Sequence, residues 1–323
     1  MSDGEATAVP DAGTDGALPV GEAADLTDRI TDNVERVIVG HHDAIKHIVV
    51  TMLARGHLLL EDVPGVGKTM LARAMARSVD CSFKRVQFTP DLLPADVTGV
   101  NVFNQKSREF EFQPGPVFAN VVLGDEINRA PPKTQSALLE AMEESQVTVD
   151  GETRALPNPF TVIATQNNVE QSRTYELPMA ETDRFTKKLK LGYPTETDET
   201  EMLGRVAGSH PIESLDPVAS VEDLVRARDT VSKVEVSEPV RGYVTRLAGH
   251  TRENAELGVS PRGSIALVRT AQARAVLDGR DYVIPDDVQA EARTVLAHRV
   301  VPGGGARTGL DVVEDALDAV PVE

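Results

Sequence analysis

Residues 60–69 read LEDVPGVGKT, with two glycines just before a lysine and a threonine. This stretch follows a short apolar run at 57–60, which predicts a strand, and it opens a segment of helical spacing over 68–78. Gly65 and Gly67 allow the backbone to turn so that its N–H groups point inward and cradle phosphate groups. The sequence therefore predicts a phosphate-binding loop between a strand and a helix.

The residues after the glycines strengthen this interpretation. The N-terminus of the predicted helix contributes a positive dipole, the ammonium group of Lys68 can reach the β- and γ-phosphates of a nucleotide, and the hydroxyl of Thr69 can hold Mg²⁺. The strict form of the motif has glycine at the position of Asp62, so the match falls short by one residue. The alternative is a glycine-containing turn that binds no ligand.

The composition narrows the classes of function. The chain has 323 residues, enough for about two domains, and its 51 acidic and 33 basic residues give a net charge of −18. This charge argues against a general nucleic-acid coat and against binding to anionic membranes. No apolar run approaches the roughly 20 residues of a membrane span, no secretory signal is visible, and Cys81 is the only cysteine, which excludes an internal disulfide. We expect a cytoplasmic protein without membrane insertion.

The acidic excess has two interpretations. Asp and Glu are scattered along the chain and Arg outnumbers Lys, a pattern typical of halophilic proteins, whose salty cytosol screens self-repulsion. The alternative is an ordinary acidic cytosolic protein. Neither interpretation predicts a specific ligand site.

The order of predicted elements indicates an α/β fold. Residues 1–24 contain no Lys or Arg and are rich in Ala, Gly, Asp, Glu and Pro, so we expect a disordered tail there. Helical spacing follows at 26–54 and again at 132–144. Further apolar runs that predict strands lie at 84–88, 120–123, 160–165 and 188–191. Strands that alternate with helices are typical of a mainly parallel sheet.

Two segments interrupt this alternation. Apolar residues alternate around a polar centre at 97–112, and they flank the dipeptide Asp150-Gly151 at 147–156. An Asp-Gly pair between alternating residues is the strongest short-range signal for a hairpin. We therefore predict inserted hairpins at both places.

The pattern changes after residue 194, where the strand-like runs stop. Helix N-cap signals follow at Ser220, Ser237 and Ser260. The chain is thus predicted to consist of an α/β nucleotide-binding core at 25–194 and a helical domain at 195–323.

A second motif carries two carboxylates. Residues 120–126 read NVVLGDE, an apolar run that ends in Asp125 and Glu126. Asp125 could hold Mg²⁺, and Glu126 could orient or activate the water that attacks the γ-phosphate. By itself an acidic pair at a strand end is usually a solvated turn, but this one lies downstream of a phosphate-binding loop. A protein that only binds nucleotide does not need Glu126, so the pair favours a hydrolase.

Two other polar residues are candidates for contact with the nucleotide. Asn167 follows the predicted strand at 160–165 and could contact the γ-phosphate or the water, although in isolation it would be an ordinary loop residue. Arg184 lies a few residues before the last predicted strand. It is either a surface arginine or an arginine finger that acts on the γ-phosphate of a neighbouring subunit.

Arg262 is placed in the first turn of a helix that Ser260 caps and Pro261 opens. A cation there faces the positive end of the helix dipole, which costs up to about 1 kcal/mol, and a nearby anion would reverse the sign. A nucleotide phosphate is one such anion, and a salt bridge to a local Glu or Asp is the alternative.

Several stretches closely resemble the MoxR-type AAA+ ATPases. They read QFTPDLLP at 87–94, DEINRAPPK at 125–133 and ATQN at 164–167, and a segment similar to the lid of that family lies at 257–299. The resemblance covers about residues 26–321. It implies a P-loop core with a parallel five-stranded sheet between helices, followed by an all-α lid, with the two predicted hairpins as inserts in the core.

The resemblance also implies roles for individual residues. Lys68 and Thr69 match Walker A, Asp125 and Glu126 match Walker B, and Asn167, Arg184 and Arg262 match sensor 1, the arginine finger and sensor 2. ATP is expected at the junction of core and lid near 37–40. The implied nucleotide-binding residues are Ile38, Val39, Gly40, Pro64, Gly65, Val66, Gly67, Lys68, Thr69 and Met70. Asn168 and His41 stand where the family often has Pro and Gln, and neither departure removes a catalytic group.

The function implied by the resemblance is Mg²⁺-dependent ATP hydrolysis by a homo-oligomer, expected to be a hexameric ring. Such rings remodel or activate a protein client, some of them in metal-cofactor maturation, and often act with a partner that carries a von Willebrand factor A domain. Two alternatives stay open, a nucleotide-gated scaffold with little turnover and a nucleic-acid-associated AAA+ motor. The net charge of −18 counts against the motor.

Overall fold

The computed structural model describes residues 16–61, 65–166, 175, 177–206, 211–305 and 307–322. The strands are β1 (Leu58–Glu61), β2 (Phe83–Gln87), β3 (Gly99–Asn104), β4 (Glu109–Pro114), β5 (Val121–Asp125), β6 (Gln146–Val149), β7 (Glu152–Ala155), β8 (Thr161–Gln166) and β9 (Lys187–Leu189). The helices are α1 (Val20–Glu35), α2 (His42–Leu53), α3 (Lys68–Ser78), α4 (Pro94–Thr98), α5 (Pro132–Glu144), α6 (Met179–Thr182), α7 (Glu196–Val206), α8 (Val221–Lys233), α9 (Glu238–Glu253), α10 (Pro261–Leu277), α11 (Pro285–Leu296) and α12 (Gly309–Ala319).

The centre of the fold is a five-stranded sheet in the order β2-β5-β8-β1-β9, with every neighbouring pair parallel. Helices cover both faces, which confirms the predicted α/β class. Side chains alternate between the faces: Leu58 and Leu60 pack with α1, α2 and α3, whereas Leu59 packs with α4 and α5 on the other side. Burial on both faces explains why these strands read as continuous apolar runs.

The direction of the strands distinguishes the two edges of this sheet. Because the strands are parallel, all of them end at one edge, which we call the carboxyl edge, and all begin at the opposite or amino edge. Leu58 of β1 pairs with Ile163 of β8 and Lys187 of β9, so β1, β8 and β9 run side by side in the same direction. Ligands of open α/β sheets bind at the carboxyl edge.

Both predicted hairpins are present. β3 pairs with β4 in antiparallel fashion, and β6 pairs with β7. Asp150 and Gly151, at the tip of the second hairpin, have φ angles of 52° and 85°. Positive φ at both central residues is the requirement of the type I′ turn that the Asp-Gly dipeptide predicts. The first hairpin begins at Gly99 rather than 97, since residues 94–98 form α4.

The expected disordered tail at 1–24 is wrong for its last residues. Residues 1–15 lie outside the described part of the chain, but α1 already begins at Val20. Leu18 and Ala23 are buried against the same core as Leu26, so the apolar face of α1 extends back into the acidic segment. The helical segment predicted at 26–54 is two helices, separated by a turn in which Gly40 has a φ of 77°.

Helices α7 to α12 follow the sheet, as the change of pattern after residue 194 predicts. Ser220 caps α8 in a reciprocal pair with Asp223, and Ser260 accepts a hydrogen bond from the backbone of Gly263. Ser237 occupies the N-cap position of α9 without a side-chain capping bond. Across the described ranges, we find no helix whose length and apolar character would let it cross a bilayer.

A buried ion pair joins this helical region to the sheet. Lys187 of β9 pairs with Glu291 of α11, and both side chains are 0% exposed. The Lys187 ammonium also lies 3.0 Å from Nδ1 of His47 on α2, and Nε of Arg274 lies 3.5 Å from the Glu291 carboxylate. Burial lowers the pKa of Lys187 to about 8. Burial would raise the pKa of Glu291, but the adjacent Lys187 ammonium holds it well below its ordinary value.

Candidate functional site

The predicted phosphate-binding loop lies at the carboxyl edge, between β1 and α3. Gly65 and Gly67 have φ angles of 88° and 87°, in the left-handed region that favours glycine. A Cβ added at either glycine would meet nothing within 4 Å, so the space beside the loop is open. α3 begins at Lys68, as predicted, which places Lys68 and Thr69 in its first turn. Pro64 and Asp62 lie outside the described residues.

An apolar cavity of about 190 Å³ adjoins this loop. Its size and apolar walls suit a planar base better than a phosphate group. Five of the residues implied by the resemblance line it, together with residues of α7 that the sequence did not reveal. The lining residues include Ile38, Val39, Val66, Gly67 and Met70, and from α7 Met202 and Arg205.

Gly40 lies beside this cavity rather than in its wall. A Cβ at Gly40 would come within 2.5 Å of the carboxylate of Asp198 on α7, so glycine is required for this close approach. Arg205 donates hydrogen bonds of 2.8 Å to the backbone oxygens of Glu35 and Arg36, which holds α7 against the end of α1. The cavity is therefore built at the contact between the segment after α1 and α7.

Asp125 ends β5 at the same edge and is held by its neighbours in the sheet. The Thr165 hydroxyl donates a 2.6 Å hydrogen bond to Asp125 Oδ1. Arg85 of β2 donates to Oδ2 from Nη2 at 2.5 Å and from Nε at 3.1 Å. Carboxylate and hydroxyl oxygens are the donors that Mg²⁺ prefers, so Asp125 and Thr69 fit a magnesium site. In this structure a divalent cation would share Asp125 with the guanidinium of Arg85.

Glu126 follows in a left-handed conformation, with a φ of 55°. Its Oε2 accepts a 2.8 Å hydrogen bond from Gln87 Nε2 and a 2.7 Å one from Arg129 Nη1. Its backbone N–H donates to the Thr165 hydroxyl at 2.8 Å. A carboxylate fixed in this way has a defined direction, which a group that orients water requires. Asn167, predicted to join this group, lies outside the described residues.

The sequence did not identify Arg85, Gln87, Arg129 or Thr165 as parts of the site. Gln87 pairs with Asp125 in register, because β2 is the neighbour of β5. That neighbourhood depends on strand order, and the available signal was that Gln87, Arg129 and Thr165 lie in the three core stretches quoted for the family resemblance.

Arg184 and Arg262 lie at the other edge of the sheet. Arg184 precedes β9, and it lies near the C-terminal end of α5, where its Nε is 3.4 Å from Glu143 Oε2. Nη2 of Arg262, at the start of α10, pairs with Glu143 Oε1. Lys68 follows the end of β1, whose four residues alone span about 13 Å. The two arginines thus lie together at the amino edge, whereas the predicted phosphate-binding loop of the same subunit lies at the carboxyl edge.

In this structure Arg262 makes the local salt bridge that the sequence offered as one of two alternatives. The anion beside Arg262 is the carboxylate of Glu143, whereas Lys68 lies at the opposite edge of the sheet. Arg262 is the second residue of α10, and the start of that helix lies beside Glu143 at the C-terminal end of α5.

The two arginines line a cavity of about 690 Å³ that we call the arginine pocket. It concentrates positive charge in a chain whose net charge is −18. Its arginines are Arg55, Arg184, Arg228, Arg262, Arg269 and Arg299, and its carboxylates are Glu143 and Asp183. Arg299 pairs with Asp183 at 2.7 Å. A concave site with this excess of guanidinium groups is suited to an anion with several oxygens.

Like Arg299, Arg228 is almost fully buried, with 3% of its surface exposed. It donates to the backbone oxygen of Met52 at 2.7 Å and to the Thr161 hydroxyl at 3.1 Å. Burial, reinforced by the charge of Arg55, lowers its pKa to about 9. No carboxylate within the described part of the chain forms an ion pair with Arg228, so its charge adds to the positive potential of the pocket.

Comparison with known families gives two matches. The family described as "ATPase family associated with various cellular activities (AAA)" matches residues 57–187, which contain both hairpins and the sheet as far as the first residue of β9. The family described as "AAA lid domain" matches residues 247–317, within the helical region.

Individual relatives cover most of the chain. The uncharacterized protein YeaC of Bacillus subtilis (strain 168) is 52% identical over 85% of this chain and 87% of its own length. The protein named Chaperone MoxR1 of Mycobacterium tuberculosis is 41% identical over 85% of this chain and 75% of its own. A crystal structure of a candidate ATPase from Cytophaga hutchinsonii matches with a TM-score of 0.88 and 37% identity, over 94% of this chain and 96% of that one.

Proposed function

Because the chain belongs to the MoxR family of AAA+ ATPases, we propose that it hydrolyses ATP with Mg²⁺ in a ring of identical subunits and uses the energy to remodel a protein client. One observation carries this proposal: the phosphate-binding loop and the arginine pocket lie on opposite edges of one sheet. A subunit therefore presents a loop to one neighbour and arginines to the other.

Nucleotide binding would use the carboxyl edge. The backbone N–H groups of the loop and the Lys68 ammonium would hold the phosphates, and the apolar cavity beside Val66 and Met70 would take the base. Thr69 and Asp125 would hold Mg²⁺, which when bound neutralises charge on the β- and γ-phosphates.

Glu126 would orient and activate the attacking water. Gln87 and Arg129 both hydrogen-bond to its Oε2, and among the described residues none hydrogen-bonds to Oε1, which would accept a proton from water. Asn167 stays a predicted partner of the γ-phosphate or the water.

Hydrolysis would require a neighbour. Arg184 and Arg262 would enter the site of the adjacent subunit and stabilise the charge on the γ-phosphoryl group during transfer. A contact between two different faces of identical subunits closes into a ring when the rotation permits, and family resemblance favours six subunits. This arrangement modifies the expectation from sequence, in which only Arg184 acts on a neighbour.

For the client, we propose only a class of protein. A related protein is named a chaperone, and the family resemblance favours a cytoplasmic protein client, activated or matured together with a von Willebrand factor A domain partner. The exposed aromatic pair Phe103 and Phe110 on the first hairpin, with ring centroids 5.4 Å apart, is one surface that such a client could contact.

A mixing experiment tests the proposal. Lys68→Ala should abolish nucleotide binding, and Arg184→Ala should keep binding but lower turnover by roughly 10³-fold or more. In an equimolar mixture, roughly a quarter of the interfaces pair an intact loop with an intact arginine, and this should restore measurable phosphate release. A mixture as inactive as its components would refute action across subunits. Absence of any ATPase activity in the parent protein would favour the scaffold alternative, and strong stimulation by DNA would favour the motor.

A further inference from the structure

The arginine pocket contains one carboxylate that both proposed trans-acting arginines share. Glu143 Oε2 lies 3.4 Å from Arg184 Nε, and Glu143 Oε1 pairs with Arg262 Nη2. Among the described residues neither arginine forms an ion pair with any other carboxylate, because Asp183 is taken by Arg299. Each carboxylate oxygen thus binds a different arginine.

The position of Glu143 is unfavourable without these arginines. Glu143 lies in the last turn of α5, where the helix dipole is negative, and that turn contains no basic residue. Glu140 and Glu144 add further negative charge nearby. The cations that compensate Glu143 come from distant parts of the chain, Arg184 before β9 and Arg262 on α10. Its carboxylate is therefore placed by tertiary structure at the point where the two guanidinium groups converge.

A carboxylate that binds two arginines through two oxygens offers them the same contacts as two oxygens of a phosphoryl group. We propose that Glu143 is a built-in competitor of the neighbouring subunit's γ-phosphate. It holds Arg184 and Arg262 together before nucleotide arrives, is displaced when the γ-phosphate enters the pocket, and takes the arginines back when inorganic phosphate leaves. This inference rests on the proposed action of the two arginines across subunits.

The exposure of the three side chains suits a contact that breaks in every cycle. Glu143, Arg184 and Arg262 are 34%, 29% and 46% exposed. Ion pairs at such exposure change an equilibrium only a few-fold each, because water screens them. The fully buried pair of Lys187 and Glu291 in the same molecule could not be exchanged so readily.

The test compares Glu143→Gln with Glu144→Gln. Both substitutions remove one negative charge from the same turn, but within the described chain the side chain of Glu144 has no hydrogen-bond or ion-pair partner. Binding is measured in a Glu126→Gln background, which should prevent turnover, under conditions in which the subunits assemble. There the added Glu143→Gln substitution should make the protein bind a fluorescent ATP analogue roughly 3- to 20-fold more tightly than Glu126→Gln alone. When Glu126 is retained, inorganic phosphate should inhibit hydrolysis by Glu143→Gln at a concentration lower, by the same factor, than the concentration that inhibits the parent protein. Glu144→Gln should change neither value by more than about twofold.

The outcomes separate this inference from the proposed function. Weaker binding in Glu143→Gln, or binding equal to that of Glu144→Gln, would overturn the competitor role. If at the same time Arg184→Ala still abolishes hydrolysis, the proposed trans-acting arginines stand and only Glu143 is misassigned. The gain in affinity from Glu143→Gln should also vanish when Arg184→Ala and Arg262→Ala are present, because no guanidinium group is then released. A gain that persists in that background would overturn the inference as well.

Discussion

Replacing Lys187 by Met should destabilise the fold more than any other single loss of a lysine charge on the sheet. The ammonium of Lys187 and the carboxylate of Glu291 are both 0% exposed and pair across the contact between β9 and α11. Removal of one partner leaves a buried charge uncompensated, which costs about 3–5 kcal/mol. Arg274 at 3.5 Å and His47 at 3.7 Å from Glu291 remain to compensate part of that charge. We therefore expect the free energy of unfolding to fall by an amount near the lower limit of this range, about 3 kcal/mol.

The assay is urea unfolding followed by circular dichroism, at a fixed protein concentration without nucleotide. Lys190→Met is the control, because Lys190 follows the same strand but is 76% exposed and 3.9 Å from its carboxylate partner. It should change the free energy of unfolding by less than about 1 kcal/mol. The double variant Lys187→Met with Glu291→Leu should recover most of the loss, since an apolar pair carries no desolvation penalty.

The pH dependence has a definite sign. Lys187 holds the pKa of Glu291 below its ordinary value, so the carboxylate contributes stability that is complete above pH 4.5 and is lost as the pH falls. In Lys187→Met the carboxyl group protonates more readily, so the difference from the parent protein should shrink as the pH drops below 4.5. A loss of less than 1 kcal/mol at pH 7, or a difference that grows toward acid pH, would refute the reasoning.

Two further predictions concern catalysis and assembly. Glu126→Gln should keep ATP binding but lower hydrolysis by about 100-fold or more, because the amide cannot accept a proton from water; phosphate release at the parent rate would show that Glu126 is not the general base. If the acidic surface is an adaptation to high salt, subunit assembly measured by light scattering should strengthen as the KCl concentration rises from 0.1 M toward roughly 2 M, and a ring that dissociates over that range would contradict the halophilic interpretation.

Local sequence predicted the elements of the fold to within a few residues. α3 and α5 have the predicted bounds, and the Asp150-Gly151 turn has the positive φ angles that its residue types favour. These successes share a cause, because glycine conformation, helix spacing and apolar runs act over a few residues. The error at 16–24 has the opposite cause: that segment is ordered by contacts with distant residues, such as the hydrogen bond from Thr230 to the Leu18 backbone.

The two halves of the site were predictable to different degrees. The loop and the carboxylates follow strand ends, and parallel strands end at one edge, so their proximity follows from the sequence pattern. The contacts of Gln87 with Glu126 and of Arg85 with Asp125 depend on β2 lying next to β5. Strand order is a long-range property, and nothing in the motif itself encodes it.

The sequence by itself was sufficient to predict the turn between β1 and α3 and its positive φ angles, because Gly65, Gly67, Lys68 and Thr69 lie within five residues of the chain. It was not sufficient for the position of Arg184 and Arg262 relative to that loop. Their place at the amino edge, around the carboxylate of Glu143, depends on tertiary packing, which brings the start of α10 beside the C-terminal end of α5 and pairs groups more than a hundred residues apart. Local interactions determine whether a segment forms a helix, a strand or a turn. The position of a charged side chain relative to a distant loop is determined by how these elements pack.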